Sequence, residues 1–209
     1  MEPSFAPGWV GYGHAFAALE ETDQALAAYR TAARMFPGLH QPMLWAGVEY
    51  GRASANWGLA KHFLSEAKKL APSDPAAHHE LGCVALRCGE LPAAEEHFRM
   101  ALRVAPRPLN VAHEPLLVGL ASALRRQRRF AEATSLLETA MGLNPSAPGT
   151  LAALAFTAHL AGDTPHAVTL YHLALAARPE DGFSHEMLTV AIADSMEEPL
   201  RLIEGTMSP

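Results

Sequence analysis

Five prolines, Pro37, Pro72, Pro106, Pro145 and Pro179, each close a segment that begins with an alanine five residues earlier, at Ala32, Ala67, Ala101, Ala140 and Ala174. Seven residues before each of these stands another alanine, at Ala25, Ala60, Ala94, Ala133 and Ala167. Four positions after that first alanine comes a large residue: Tyr29, Leu64, Phe98, Leu137 or Tyr171. Upstream a small residue recurs at Gly13, Gly47, Gly82, Ala121 and Ala155, 12 residues before its alanine except in the second copy, where the distance is 13. A fixed period of about 34 residues constrains the fold more than length or composition does, because each unit must bury its apolar face against the next.

The lattice sets repeats at 6–39, 40–74, 75–108, 114–147 and 148–181. It is broken by one extra residue around Gly51 to Trp57 and by a five-residue insertion, Leu109 to His113. Each repeat reads as two antiparallel helices. A glycine inside a helix costs up to about 1 kcal/mol relative to alanine, so its recurrence at Gly13, Gly47 and Gly82 marks a close approach of a neighbouring helix. The paired alanines serve the same end on the second helix, and a residue such as Phe98 or Tyr171 is the knob that fills the gap between repeats. Thr22-Asp23 and Thr164-Pro165 read as an N-cap and first turn, Gly89 and Gly162 as helix stops. Helices of roughly 13 residues are marginal alone, so stability must come from stacking.

The expected fold is therefore all-α: an α-α superhelix of five helix pairs forming a single array over 6–194. Residues 1–5 form a lead-in, 182–194 a capping helix and 195–209 a solvated tail. Composition agrees, with 49% apolar residues but only 7% aromatics and no strand-like alternation. A net charge of −6 lacks the basic field that nucleic acid requires. The first residues lack a signal-peptide pattern and no stretch is apolar enough to span a bilayer, so the chain is expected to be intracellular and off the membrane. Cys83 and Cys88, the two cysteines, lie five apart, a spacing that fits neither a disulfide framework nor a zinc knuckle.

Trp9, Gly13 and Phe16, followed by Ala25, Tyr29, Ala32 and Pro37, resemble the tetratricopeptide repeat, whose period is about 34 residues. A narrower resemblance rests on residues off that consensus. Ala6-Pro7-Gly8-Trp9, Gly13-His14-Ala15-Phe16, Leu39-His40-Gln41-Pro42, His79-Glu80-Leu81-Gly82, Glu114-Pro115-Leu116-Leu117 and Phe183-Ser184 are similar to the C-terminal repeat block of the sixth-subunit family of the anaphase-promoting complex. That family also carries an insertion just before the segment matched by Glu114-Pro115. The resemblance implies a non-catalytic scaffold subunit of a mitotic ubiquitin ligase, in nucleus and cytoplasm. Its partners would be other subunits of the complex and a small companion subunit whose extended N-terminal peptide it encloses. It also implies homodimerisation through N-terminal repeats that are absent from this sequence, which takes away the basis for a homodimer.

In a tetratricopeptide superhelix the first helix of each repeat lines the concave groove. On that pattern the groove residues are His14, Trp45, Val48, Arg52, His79, Glu80, Cys83, Arg87, Ser122, Arg126, Phe156 and His159, with Met187 and Val190 continuing them on the capping helix. Trp45 and Phe156 are the apolar anchors, and His79, Glu80 and Arg87 the polar contacts. Competing functions fare less well. The carboxylate clamp of chaperone-binding repeats is missing, since its sites carry Val10, His14, Trp45 and His79. The asparagine ladder of glycosyltransferase repeats is missing too. His79 and Cys83 share a helix face, yet no third ligand or oriented partner is evident from spacing, so no catalytic residue, metal or cofactor is expected. The basic run Arg125 to Arg129 meets the negative end of a helix dipole. The alternative function is a generic repeat adaptor or co-chaperone holding a different peptide.

Overall fold

The computed structural model describes residues 6–53 and 55–206, with side chains as far as residue 196. The expected lead-in, Ser54 in the irregular stretch and the last three residues of the expected tail lie outside the described residues. Among the described residues every regular element is helical, and none is long and apolar enough to cross a membrane.

The helices gather into two compact units, 1–107 and 108–209. The division falls next to the insertion that interrupts the 34-residue lattice. The first unit holds α1 (Ala6–Ala18), α2 (Thr22–Met35), α3 (His40–Arg52), α4 (Trp57–Leu70), α5 (Pro75–Arg87) and α6 (Leu91–Val104). The second opens with a 3-10 turn, Val111–His113, and continues with α7 (Glu114–Arg126), α8 (Phe130–Leu143), α9 (Pro148–Ala161), α10 (Thr164–Ala177) and α11 (Gly182–Thr206).

Packing in the first unit follows from size alternation. A methyl group added at Gly13 would lie 2.3 Å from the Tyr29 ring, one at Gly47 2.7 Å from Leu64, and one at Gly82 2.9 Å from Phe98. Each knob therefore sits on the first helix of its own pair. Two of the knobs also reach the next pair: Tyr29 shares a cluster with Val10, Ala25, Ala32 and Ala46, and Leu64 shares one with Leu44, Ala77, Leu81 and Val84. In the second unit Ala121, Leu137, Ala155 and Tyr171 occupy the corresponding lattice positions and are all buried.

The helix ends are more varied than the sequence pattern implies. Side-chain caps come from Asn56, Asp74 and Asp163, which accept from the amides of Leu59 (3.1 Å), Ala76 (2.9 Å) and His166 (3.3 Å). Thr164 is thus the first residue inside α10 and Asp163 its cap, one position earlier than the sequence reading had it. Likewise α2 starts at Thr22, with Glu21 ahead of it making no side-chain cap. The insertion is a folded element: Asn110 accepts from the Ala112 amide at 3.0 Å while its own amide donates to His113 Nδ1 at 3.0 Å. The last helix runs well past Asp194, the expected end of the cap, to Thr206. It continues through Pro199 and on through what had been read as tail.

Each turn within a helix pair uses one residue in the left-handed region: Glu20 (φ 61°), Ala55 (φ 48°), Gly89 (φ 79°), Arg128 (φ 64°) and Gly162 (φ 89°). Only two of the five are glycine, the residue that adopts this conformation without steric cost. Replacing the exposed Glu20 or Arg128 by glycine should raise stability by about 0.5–1 kcal/mol, a melting shift of about 2–4 °C. Gly162→Ala should lower it by about 1 kcal/mol. Thermal denaturation followed by circular dichroism checks both signs.

Candidate functional site

The faces of α3 and α5 that carry the expected groove residues meet in the first unit. A recess of about 240 Å³ is lined by Val48, Arg52, Glu80, Cys83 and Arg87, together with Gly47, Gly51, Trp57 and Val84. Glu80, Cys83, Val84 and Arg87 follow the i, i+3, i+4, i+7 spacing that puts them on one side of α5. Trp57, at the start of α4, was not among the expected residues because only the first helix of each pair was considered. The Arg87 guanidinium lies 5.8 Å from its ring centroid.

His14 and Trp45 form a separate pair, edge to face with centroids 4.6 Å apart. The Tyr29 hydroxyl and His14 Nδ1 are hydrogen-bonded at 2.8 Å, which fixes the imidazole from below while Trp45 stays 37% exposed. Burial, aided by the Glu49 carboxylate and opposed by Arg52, pushes the Tyr29 phenol up to about 12. Glu49 is 2% exposed and its charge is met by Arg52, whose Nη2 donates to Oε1 at 3.0 Å and Oε2 at 3.1 Å, and also to the Ala17 carbonyl at 3.2 Å. Arg52 therefore ties α3 to α1 besides lining the recess.

On α5 the His79 ring lies between two partners. Its Nδ1 is 3.0 Å from Glu80 Oε1 and its Nε2 is 3.7 Å from Cys83 Sγ. Burial alone would lower the His79 pKa, but the hydrogen bonds with Cys83 and Glu80 outweigh it and hold the imidazole up at about 10. The three side chains bring possible ligand atoms within 4.8 Å of one another. Sequence spacing gave the pair His79 and Cys83 but not the orienting carboxylate, because Glu80 is adjacent in sequence and only the ring orientation brings it to Nδ1.

In the second unit a recess of about 350 Å³ is lined by Pro148, Gly149, Ala152, Ala153 and Phe156 of α9, with Arg125, Arg178, Asp181 and Phe183 around them. Phe156 was expected here. Its ring meets Phe183 edge-on at 5.3 Å, and the Arg125 guanidinium covers it at 4.5 Å. Burial pushes the Arg125 pKa down, and burial raises the Tyr171 phenol to about 12. Arg125, which was not among the expected residues, turns onto the aromatic ring, while its neighbour Arg126 lies outside this lining. Ser122, His159 and Met187 are half-buried and outside this lining, and Val190 is exposed. His159 Nε2 is 2.9 Å from Asp194 Oδ2, linking α9 to α11.

Comparison with known proteins places these helix pairs in context. A tetratricopeptide repeat family model matches residues 116–148. The chain is 44% identical over 197 residues to anaphase-promoting complex subunit 6 of Arabidopsis thaliana, covering 94% of this chain and 36% of that protein. It is 40% identical over 192 residues to the human cell division cycle protein 16 homolog, covering 90% of this chain and 31% of the relative. The chain thus spans about a third of the length of these curated relatives. Among solved structures, the Cut9 and Hcn1 hetero-tetramer of the anaphase-promoting complex matches with a TM-score of 0.83 at 30% identity, over 91% of this chain and 37% of that one. Yeast Tom70, at 20% identity and a TM-score of 0.77, shares the fold.

Two measurements test the electrostatics of this region. Arg52→Met should cost about 1–3 kcal/mol by leaving the Glu49 carboxylate without its charged partner. The loss should stay below the cost of breaking a fully buried pair because Arg52 itself is half exposed, and adding Glu49→Gln should recover part of it. The raised phenols have a pH signature: the folded state keeps protons that the unfolded state releases above pH 10. Stability is thus fully present below pH 10 and falls as pH climbs towards 12. Tyr29→Phe and Tyr171→Phe should each flatten that decline in urea denaturation series.

Proposed function

We propose that this tetratricopeptide-repeat chain, similar to subunit 6 of the anaphase-promoting complex, is part of a non-catalytic scaffold of that ubiquitin ligase, with other subunits of the complex as its partners. Its recesses hold the extended N-terminal peptide of a small companion subunit. The protein works in nucleus and cytoplasm. The scaffold role is supported by 44% identity over almost the whole chain to the plant subunit.

The observation that carries the peptide reading is the recess between α3 and α5. An extended peptide needs apolar walls for alternate side chains and polar groups for its backbone. Val48, Val84 and Trp57 supply the first, and Glu80, Arg52 and Arg87 the second. The pair of His14 and Trp45 adds a rigid flat surface, which contributes contact area at small entropic cost. The recess at Phe156 in the second unit offers the same combination of aromatic rings and guanidinium groups.

Affinity purification of the tagged chain from its source cell tests the assembly. Recovery of anaphase-promoting complex subunits, including a small one that binds the isolated chain directly, is the expected outcome. Chaperones without any such subunit would overturn it in favour of a co-chaperone or generic adaptor. For the recess itself, Trp45→Ala combined with His79→Ala should weaken binding of the companion's N-terminal peptide by about 2–4 kcal/mol, roughly 30- to 1,000-fold. A folded double variant with unchanged affinity sinks the assignment.

A further inference from the structure

Cys83, His79 and Glu80 form a constellation that peptide binding does not require. The sulfur faces an imidazole nitrogen at 3.7 Å, and the opposite ring nitrogen is held by a carboxylate at 3.0 Å. This is the order nucleophile, base, orienter on a single helical turn. Cys83 is half-buried, so it is both reachable and partly shielded from water, and it lines the same recess as two guanidinium groups, Arg52 and Arg87. A partly exposed setting beside an imidazole and a guanidinium such as Arg87 is where reactive cysteines are found. A metal ion fits less well. Cys83 and Glu80 sit at different nitrogens of one imidazole, so an ion between sulfur and Nε2 would have two ligands from this helix where a closed site uses four, and it would face two cations.

We propose that Cys83 is a modification site for small electrophiles and peroxides, with His79 as its base and Glu80 holding the imidazole in place. The Cys83 thiol gives its proton to His79 Nε2, 3.7 Å away, and the Glu80 carboxylate at Nδ1 stabilises the imidazolium that forms. The sulfur electron pair then attacks one oxygen of hydrogen peroxide, the O–O bond breaks, and the departing hydroxide takes the proton from His79 to leave as water. The sulfur is oxidised to a sulfenic acid and the peroxide reduced. With an alkylating agent the sulfur displaces the halide from carbon and ends as a thioether. In either case the added group occupies a recess of about 240 Å³ and displaces whatever would lie against Val48 and Trp57. That last consequence rests on the peptide reading; the reaction itself does not.

The molecule supplies its own control. Cys88 is also half-buried, five residues further on, and packs against the core of α3, α4 and α5. The full chain is treated with iodoacetamide at neutral pH and the adducts are followed by peptide mapping. Cys83 should react at least about tenfold faster than Cys88, and His79→Gln should remove about that factor from Cys83 alone. Dimedone after dilute hydrogen peroxide should label Cys83. Equal rates at the two cysteines overturn the proposal, as does a folded His79→Gln chain with an unchanged rate at Cys83. Should that variant not fold, Glu80→Gln keeps the base but loses its orienter and must slow Cys83 relative to Cys88. Titrating the alkylated chain with the companion peptide is a separate arm: retained affinity there would show that the peptide lies elsewhere while the reactive thiol stands.

Discussion

The interlock of a large side chain with a missing one sets the spacing of everything else in the first unit. Tyr29, Leu64 and Phe98 each press against a glycine on the opposite helix, at distances that leave no room for even a methyl group. Two short helices locked this closely behave as one body. Because each is too short to be stable alone, the pair gains its stability from area buried on both sides of the knob. The same knob then touches the following pair, as Tyr29 does through Ala46. Local closeness within a pair and continuity from one pair to the next thus come from one side chain.

That interlock also dictates where chemistry is placed. With the second helices occupied in packing, the first helices turn their remaining faces outward, and α3 and α5 lie near enough to form a recess. Arg52 serves in both roles, satisfying the buried Glu49 and reaching the Ala17 carbonyl while presenting its edge to the recess. His14 is likewise held by the buried knob Tyr29, so the packing layer orients a surface side chain directly.

The periodic alanines, prolines and glycines were enough to read the helices, which begin at Ala6, His40, Pro75, Glu114 and Pro148, the residues at which the lattice starts its repeats. What stayed hidden has separate physical causes. Left-handed turns at Glu20, Ala55 and Arg128 carry residues that do not announce that conformation, whereas Gly89 and Gly162 do. The cap at Asp163 was obscured by the neighbouring Thr164, an equally good capping residue. Trp57 and Arg125 reach the recesses from positions whose direction depends on rotamer rather than spacing. The extent of α11 was masked by an acidic pair, Glu197-Glu198, that reads as a solvated tail and is followed by Pro199, a signal for a helix end.

Glu114 has a wider reach than its position at the start of α7 suggests. Its carboxylate accepts from Asn144 Nδ2 at 2.8 Å, just past the end of α8, and from the hydroxyl of Thr150 in the first turn of α9. A single carboxylate therefore joins the start of α7 to the end of α8 and the start of α9. A chain with α7 and α8 in place but α9 still unfolded would hold a carboxylate that turns to water in place of Thr150. The folded turn ahead of it ends at His113, so this three-way junction stands where the interrupted lattice resumes.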